Sequence, residues 1–288
     1  MGPINVAVER GDLVESRHRV HAVRVAAGEV EAWGDPGLVT FLRSAAKPFQ
    51  ALPLAAAVPD LPPEEIALAC ASHEARPEQL AAVRSLLSRA EATEDDLECG
   101  PVDGERIRHN CSGKHAGMLL LARTRGWPPA GYRRPDHPLQ RELLALVAGA
   151  ADLPQEEIET GIDGCGVVTY ALPLERMARM LERLARCELD GAAAVIDAMV
   201  AQPLLVGGPK AIDTRLMHAL PEAAAKRGAD GILVAALPDG SGLVLKAEDG
   251  AQRPLLPAAA LVLGLPDLAA APIENSRGET VGSVRVVL

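Results

Sequence analysis

Thr280-Val281-Gly282-Ser283-Val284-Arg285-Val286-Val287-Leu288 alternates in character along its length. Alternation of this kind marks a strand with one face buried. Residues 4–43 read the same way. Val6, Val8, Val20, Val23 and Val25 sit in short runs cut by Gly11, Gly28 and the Asp35-Pro36-Gly37 turn. Working outward from the two ends, the middle turns helical. Helical spacing is expected over 44–58, 77–91, 112–125, 138–151, 171–187 and 190–201. Ile66 to Ala71 is an apolar run, a buried strand or a helix end leading into Ser72. Ile232–Leu237 and Leu243–Ala247 flank Pro238-Asp239-Gly240-Ser241-Gly242, a hairpin signal. Strands at both ends with helices between predict an α+β fold. In it, an antiparallel sheet formed by the N- and C-terminal strands packs against helices. Residues 1–288 are expected to form one domain, a sheet lobe from both termini plus a central helical part.

Composition removes several classes of function. Apolar residues are 48% and charged residues 24% of the chain, ordinary for a globular protein. The longest uncharged stretch runs from Pro254 to Pro266 and is broken by proline, too short to span a bilayer. Glu9 and Arg10 interrupt any signal-peptide core, so a cytoplasmic protein is expected and no membrane partner. The net charge of −10 repels phosphate backbones, and two Phe, two Trp and two Tyr make no stacking platform. Nucleic acid is therefore not an expected partner. The five cysteines are odd in number and irregular in spacing, which reads as free thiols or a metal pair. Against 24 arginines there are five lysines, at 47, 114, 210, 226 and 246. Lysine can serve as a neutral amine where arginine cannot. Lys226, beside Arg227, reads as a surface residue.

Four segments and one lysine could carry chemistry. In Arg43-Ser44-Ala45-Ala46-Lys47-Pro48, Ser44 and Lys47 are one helical turn apart, so that a buried amine could take the serine proton. Serine–lysine hydrolases, penicillin-binding proteins and β-lactamases among them, use this arrangement. With nine serines and five lysines, roughly 0.16 such pairs arise by chance. Cys70-Ala71-Ser72-His73 places a serine at the end of an apolar run. His109-Asn110-Cys111-Ser112-Gly113-Lys114-His115 crowds polar groups into a helix start, and Gly161-Ile162-Asp163-Gly164-Cys165-Gly166 flanks a cysteine with glycine. Cys111 and Cys165 could hold one Zn²⁺ with Lys114 or His115 as third ligand; two buried thiols is the plainer reading. Lys246 follows the 238–242 turn. It could face the serines or pair with Glu248 or Asp249.

Together Arg-Ser-Ala-Ala-Lys-Pro-Phe-Gln (43–50), Cys-Ala-Ser-His (70–73), His-Asn-Cys-Ser-Gly-Lys-His-Ala-Gly-Met (109–118) and Asp-Gly-Cys-Gly-Val (163–167) resemble the asparaginase II family of the thermolabile, rhizobial type. The resemblance implies an L-asparagine amidohydrolase releasing ammonia and L-aspartate. The implied fold is akin to serine β-lactamases and glutaminases, in a homodimer. It implies two serine–lysine tandems, Ser44 with Lys47 and Ser72 with Lys246. It implies zinc held by Cys111, Lys114 and Cys165. Asp163 would receive the substrate amino group, and Arg43 and His115 are expected beside it. Glu74-Ala75-Arg76 and Val168 depart from the family's pattern. Three other readings stand beside this one: another serine–lysine hydrolase, an amino-acid-binding paralogue with a dead site, and a cysteine amidase using Cys111 with His115.

Overall fold

The first valine runs form β1 (Ile4–Arg10) and β2 (Leu13–Ala26), turned at Gly11. A computed structural model describes residues 1–287; Leu288, the end of the expected last strand, lies outside the described residues. β3 (Glu29–Trp33) folds back on β2, and β4 (Val39–Phe41) leaves the sheet. A short turn of 3₁₀ helix, Arg43–Ala46, leads into α1 (Lys47–Ala57), with Pro48 at its start, where a missing N–H costs nothing. Next come α2 (Pro63–Ala69) and α3 (Pro77–Arg89), each opened by a proline, then α4 (Ser112–Thr124) and α5 (Pro138–Ala151). The apolar run before Ser72 is thus a helix end.

Next, β5 (Glu159–Ile162) and β6 (Val168–Pro173) form a small sheet with β4, in the order β4-β6-β5. The helix expected over 171–187 begins only at α6 (Leu174–Ala185). Residues 171–173 are the end of β6, because Tyr170-Ala171-Leu172 is buried against β4 and β5 and Pro173 stops the strand and caps the helix. α7 (Ala192–Ala201), α8 (Pro203–Gly207) and α9 (Ile212–Ala219) follow. β7 (Ala224–Gly228), β8 (Ile232–Ala236) and β9 (Gly242–Ala247) meander through the 238–242 turn. α10 (Leu255–Leu263), β10 (Ala270–Glu274) and β11 (Thr280–Val287) complete the described chain.

The large sheet runs β10-β11-β1-β2-β9-β8-β7, with β3 beside β2. Its described ladders are antiparallel, and the two ends of the chain pair directly, Ala7 opposite Arg285 and Val8 opposite Val284. The α+β sheet read from 280–288 and 4–43 is therefore present. β8 is buried along its whole length, which requires cover on both faces. α6 and α10 both pack on the sheet. At Gly242 the contact with α6 is so close that a Cβ would stand 2.1 Å from Ala178 O, so no larger residue fits. No helix of the described residues is long and apolar enough to cross a membrane.

Registers fix which side chains share a face. Lys226 is opposite Val234, which is opposite Val244; Gly228 is opposite Ile232, which is opposite Lys246. All six point to one side of the sheet. That side meets the 3₁₀ turn at its edge: a Cβ on Gly228 would lie 2.8 Å from Leu42 O and 3.1 Å from Ala45 N. The edge strand β7 thus carries Lys226 on the face that meets the turn bearing Ser44.

Candidate active site

Arg43 has φ +51°, a left-handed conformation rare outside glycine. Such a residue costs about 1–2 kcal/mol and persists only where its surroundings hold it. Here β6 does so: Leu42 N–H donates to Tyr170 O (2.9 Å) and Arg43 N–H to Thr169 Oγ1 (3.2 Å). The kink starts the 3₁₀ turn at Ser44, whose side chain is half-buried.

Lys47, 0% exposed, does not turn back to Ser44. Its Nζ donates to Ala71 O (2.5 Å) and lies 3.0 Å from Ser72 Oγ. The one-turn spacing predicts a Ser44–Lys47 contact; the amine has instead reached the carbonyl just past the end of α2. Carbonyls there lack helical partners and carry the negative end of the helix dipole, so they attract an amine. Ser72 itself is buried and held by its N–H on Val206 O (2.8 Å). Next to it, His73 Nδ1 accepts from Ala75 N–H, and Nε2–H donates to Ser112 Oγ (2.8 Å), which donates to Ile107 O. Burial, and then the charge of Lys47, pushes His73 down to about 4, so this imidazole is neutral scaffolding.

The pairing of Ser72 with Lys246 is not formed. Lys246 Nζ donates to Asp230 O (2.8 Å) and Ala247 O, tying down the β7–β8 turn. The reason is lateral: Lys246 stands on β9, two strand spacings or about 10 Å from the β7 edge. Burial lowers its pKa, against the pull of Asp230, Asp249 and Glu248. The lysine on that edge is Lys226, and it is not on the surface. It is 0% exposed, and its Nζ donates to Asp213 Oδ2 (3.1 Å) and Arg227 O (2.8 Å). Burial pushes Lys226 down to about 8; Lys47 and Arg227 add to this and Asp213 opposes it. Sequence reasoning missed Lys226 because an adjacent arginine suggests solvent. In a strand, neighbours face opposite sides, and that period of two was the available signal.

Arg43 joins two carboxylates, Asp163 (Nε to Oδ1, 2.8 Å) and Asp230. Burial alone would lower its pKa, yet the bond to Asp163 and both charges raise it. Asp163 also accepts from Gly164 N–H, and the turn it starts closes through Gly166 N–H on Asp163 O. That turn delivers Cys165 to Cys111 and Lys114, with Lys114 Nζ 3.0 Å from Cys165 Sγ. The hydrogen bond between the two thiols pulls Cys111 well below its usual value and pushes Cys165 up. Burial disfavours the Lys114 ammonium, but the sulfur charges of Cys165 and Cys111 outweigh it and raise its pKa. Two sulfurs and an amine gathered in a buried spot fit the donor set of Zn²⁺, provided the amine yields its proton. No cluster of three His, Cys, Asp or Glu occurs among the described residues, so any metal here depends on the lysine. His115 is fully buried and faces Tyr132 (Nδ1 to OH, 2.7 Å). Tyr132 OH also accepts from Glu98 N–H, and His115 Nε2 is buried without a partner among the described residues.

Away from these residues, a groove of about 550 Å³ between α2, α3 and α8 offers one serine, Ser85, whose hydroxyl already donates to Glu65. It holds none of the nucleophile–amine geometry.

An antiparallel sheet built from both termini and packed against helices, with a Ser-x-x-Lys turn at its edge, gives the chain a serine β-lactamase-like fold. A solved structure described as "Mglu in its native form in the presence of 4.3M NaCl" shares the fold at TM-score 0.51. It is 17% identical over 84% of this chain and 60% of that one. A second, "Probable glutaminase from Bacillus subtilis complexed with 6-diazo-5-oxo-L-norleucine", aligns at 14% identity and TM-score 0.36 over 79% of this chain and 76% of that one. The chain spans about three fifths of the length of the first of these. No protein of curated function matches it. The sequence pattern of the L-asparaginase II family, however, matches residues 6–286, and the chain belongs to that family of amidohydrolases.

Proposed function

We propose that this protein hydrolyses L-asparagine to L-aspartate and ammonia through a covalent serine–lysine mechanism. One observation carries the reading: a fully buried lysine amine, Lys47, lies 3.0 Å from Ser72 Oγ and one turn from Ser44. Ser44 is the nucleophile, because it is half-buried at a helix start and beside Arg43, whereas Ser72 is buried. As Ser44 Oγ attacks the side-chain amide carbon, its proton passes through Ser72 to Lys47. The proton then goes to the departing ammonia. First-turn N–H groups receive the oxyanion, and water releases aspartate by the reverse route. Lys226 lies within the field of Lys47, whose charge opposes its own.

Arg43 takes the substrate carboxylate in place of the exposed Asp230, and Asp163 takes the amino group. Zinc held by Cys111, Lys114 and Cys165 would tie α4 to the Asp163 turn and fix where that carboxylate stands. His115, neutral against Tyr132, supports the Lys114 side of the pocket. The reading keeps the homodimer that the resemblance implies and the cytoplasmic setting expected from the N-terminal residues; sedimentation of the purified protein checks the first.

Ammonia release from L-asparagine, L-glutamine and a β-lactam tests the substrate. Ser44→Ala should lower turnover by about 10³-fold or more while the circular dichroism spectrum is unchanged. The short Lys47–Ser72 contact favours a second assignment, with Ser72 attacking. Mass spectrometry of the quenched enzyme decides between them by which serine carries the aspartyl group. Full activity in both serine variants sinks the mechanism.

A further inference from the structure

One fully buried carboxylate is unused by the reading above. Asp213 stands in the first turn of α9 with 0% exposure and four donors. Its Oδ1 accepts from Arg227 Nη1 (2.7 Å) and Thr214 N–H (3.1 Å). Its Oδ2 accepts from Lys226 Nζ (3.1 Å) and Arg227 N–H (3.1 Å). It therefore grips two adjacent β7 residues that point to opposite faces, and the backbone between them. Arg227 in turn reaches with Nη2 to Ser72 O (3.4 Å) and Gly207 O (3.5 Å). The loop it steadies is crowded: a Cβ on Gly207 would stand 2.6 Å from Asp213 Oδ1, so carboxylate and loop are built to each other. On the other side, Lys226 points toward the Ser44 turn, as Gly228 does two residues on.

We propose that Asp213 is a positioning residue of the candidate site: it seats Ser72 through Arg227 and fixes Lys226 at the sheet edge as the charged neighbour of Lys47. The inference rests on the serine–lysine reading for its kinetic consequence, not for its geometry. The groups facing Lys226 are Asp213 from α9, Arg227 from its own strand, Lys47 from α1 and Cys70 from the end of α2. Among them Asp213 is the one carboxylate. Deleting its charge leaves three cations without it, and Lys226 should then give up its proton more easily.

The experiment compares the full-length protein with Asp213→Asn and Asp213→Glu. Two readouts are used: steady-state kinetics against pH, and the side-chain NMR titration of Lys226, one of only five lysines. In Asp213→Asn, kcat should fall about tenfold or more with KM within about twofold. The basic limb of the profile, set by Lys226, should move down by about one pH unit or more, and the NMR midpoint with it. Asp213→Glu should restore much of both. Should Asp213→Asn not fold, Asp213→Asn/Lys226→Met removes the buried pair together and tests kcat alone, while Arg227→Met tests the seat of Ser72 with the Asp213–Lys226 pair intact. An unshifted Lys226 midpoint in folded Asp213→Asn overturns the proposal, as do wild-type kcat in that double variant and in Arg227→Met. A wild-type protein without amide hydrolysis fails the proposed function instead, and the NMR titration still decides the role of Asp213.

Discussion

Lys226 on β7 and Lys246 on β9 share one face of one sheet, two strands apart, and their surroundings differ in kind. Lys226 is sealed between the sheet edge, α9 and the serine turn, with a buried carboxylate as its partner. Lys246 is half-buried and holds the Asp230 carbonyl of the β7–β8 turn and the Ala247 carbonyl of its own strand. The turn that carries Ser44 packs on the edge strand β7 and on β8 beside it, and β9 with Lys246 lies one strand beyond. The same residue type on the same face is part of the candidate site at the edge and a turn fastener two strands further in.

Replacing each lysine should separate the two most widely. Lys226→Met leaves Asp213 with Arg227 as its one charged partner and should cost about 3 kcal/mol in urea unfolding, with most activity lost. Equal losses in both lysine variants would break the comparison.

The pH dependence sharpens it. Lys226 titrates at about 8 in the folded protein, against an ordinary 10.5. Between these values the unfolded chain binds more protons than the folded one, so stability rises with pH across that window. The penalty of burying the ammonium is complete below pH 8 and is relieved by about pH 10.5, on the order of 3 kcal/mol. Unfolding free energies of wild type minus Lys226→Met should therefore climb between pH 8 and 10.5. A flat difference would show that Lys226 is solvated.

Smaller effects belong to the β9 side. Lys246→Met should cost about 1 kcal/mol through the loosened turn, and activity should fall less than in Lys226→Met. Asp230 is 70% exposed, so Asp230→Asn should change stability by about 0.5 kcal/mol or less. Its effect should fall on KM, since the substrate carboxylate no longer competes with Asp230 for Arg43. A change in kcat alone would remove Asp230 from that competition.

Much of this was legible in the residues. The period-two runs at 4–26 and 280–287 announced a sheet closed by both ends, and the helices of the middle came from their spacing. Ser44, Lys47 and Ser72 were visible as types in a pattern. The small sheet was less so: Tyr170-Ala171-Leu172 is apolar without alternation, because both its faces are covered, and such runs resemble a buried helix. α9 and Asp213 gave no signal, since an aspartate in a helix's first turn usually caps it in solvent.

Sequence alone settled the alternation that places each residue on a face, the turn that separates Ser44 from Lys47, and the family pattern. Tertiary structure decided which partner each amine meets: Lys47 went to Ser72, Lys226 to Asp213, Lys246 to the Asp230 turn. Local chemistry repeats along a chain at short range, so spacing can report it. Partnership across a sheet depends on the order of strands and on what covers their edge, and those are set by burying apolar surface that lies far apart in the sequence.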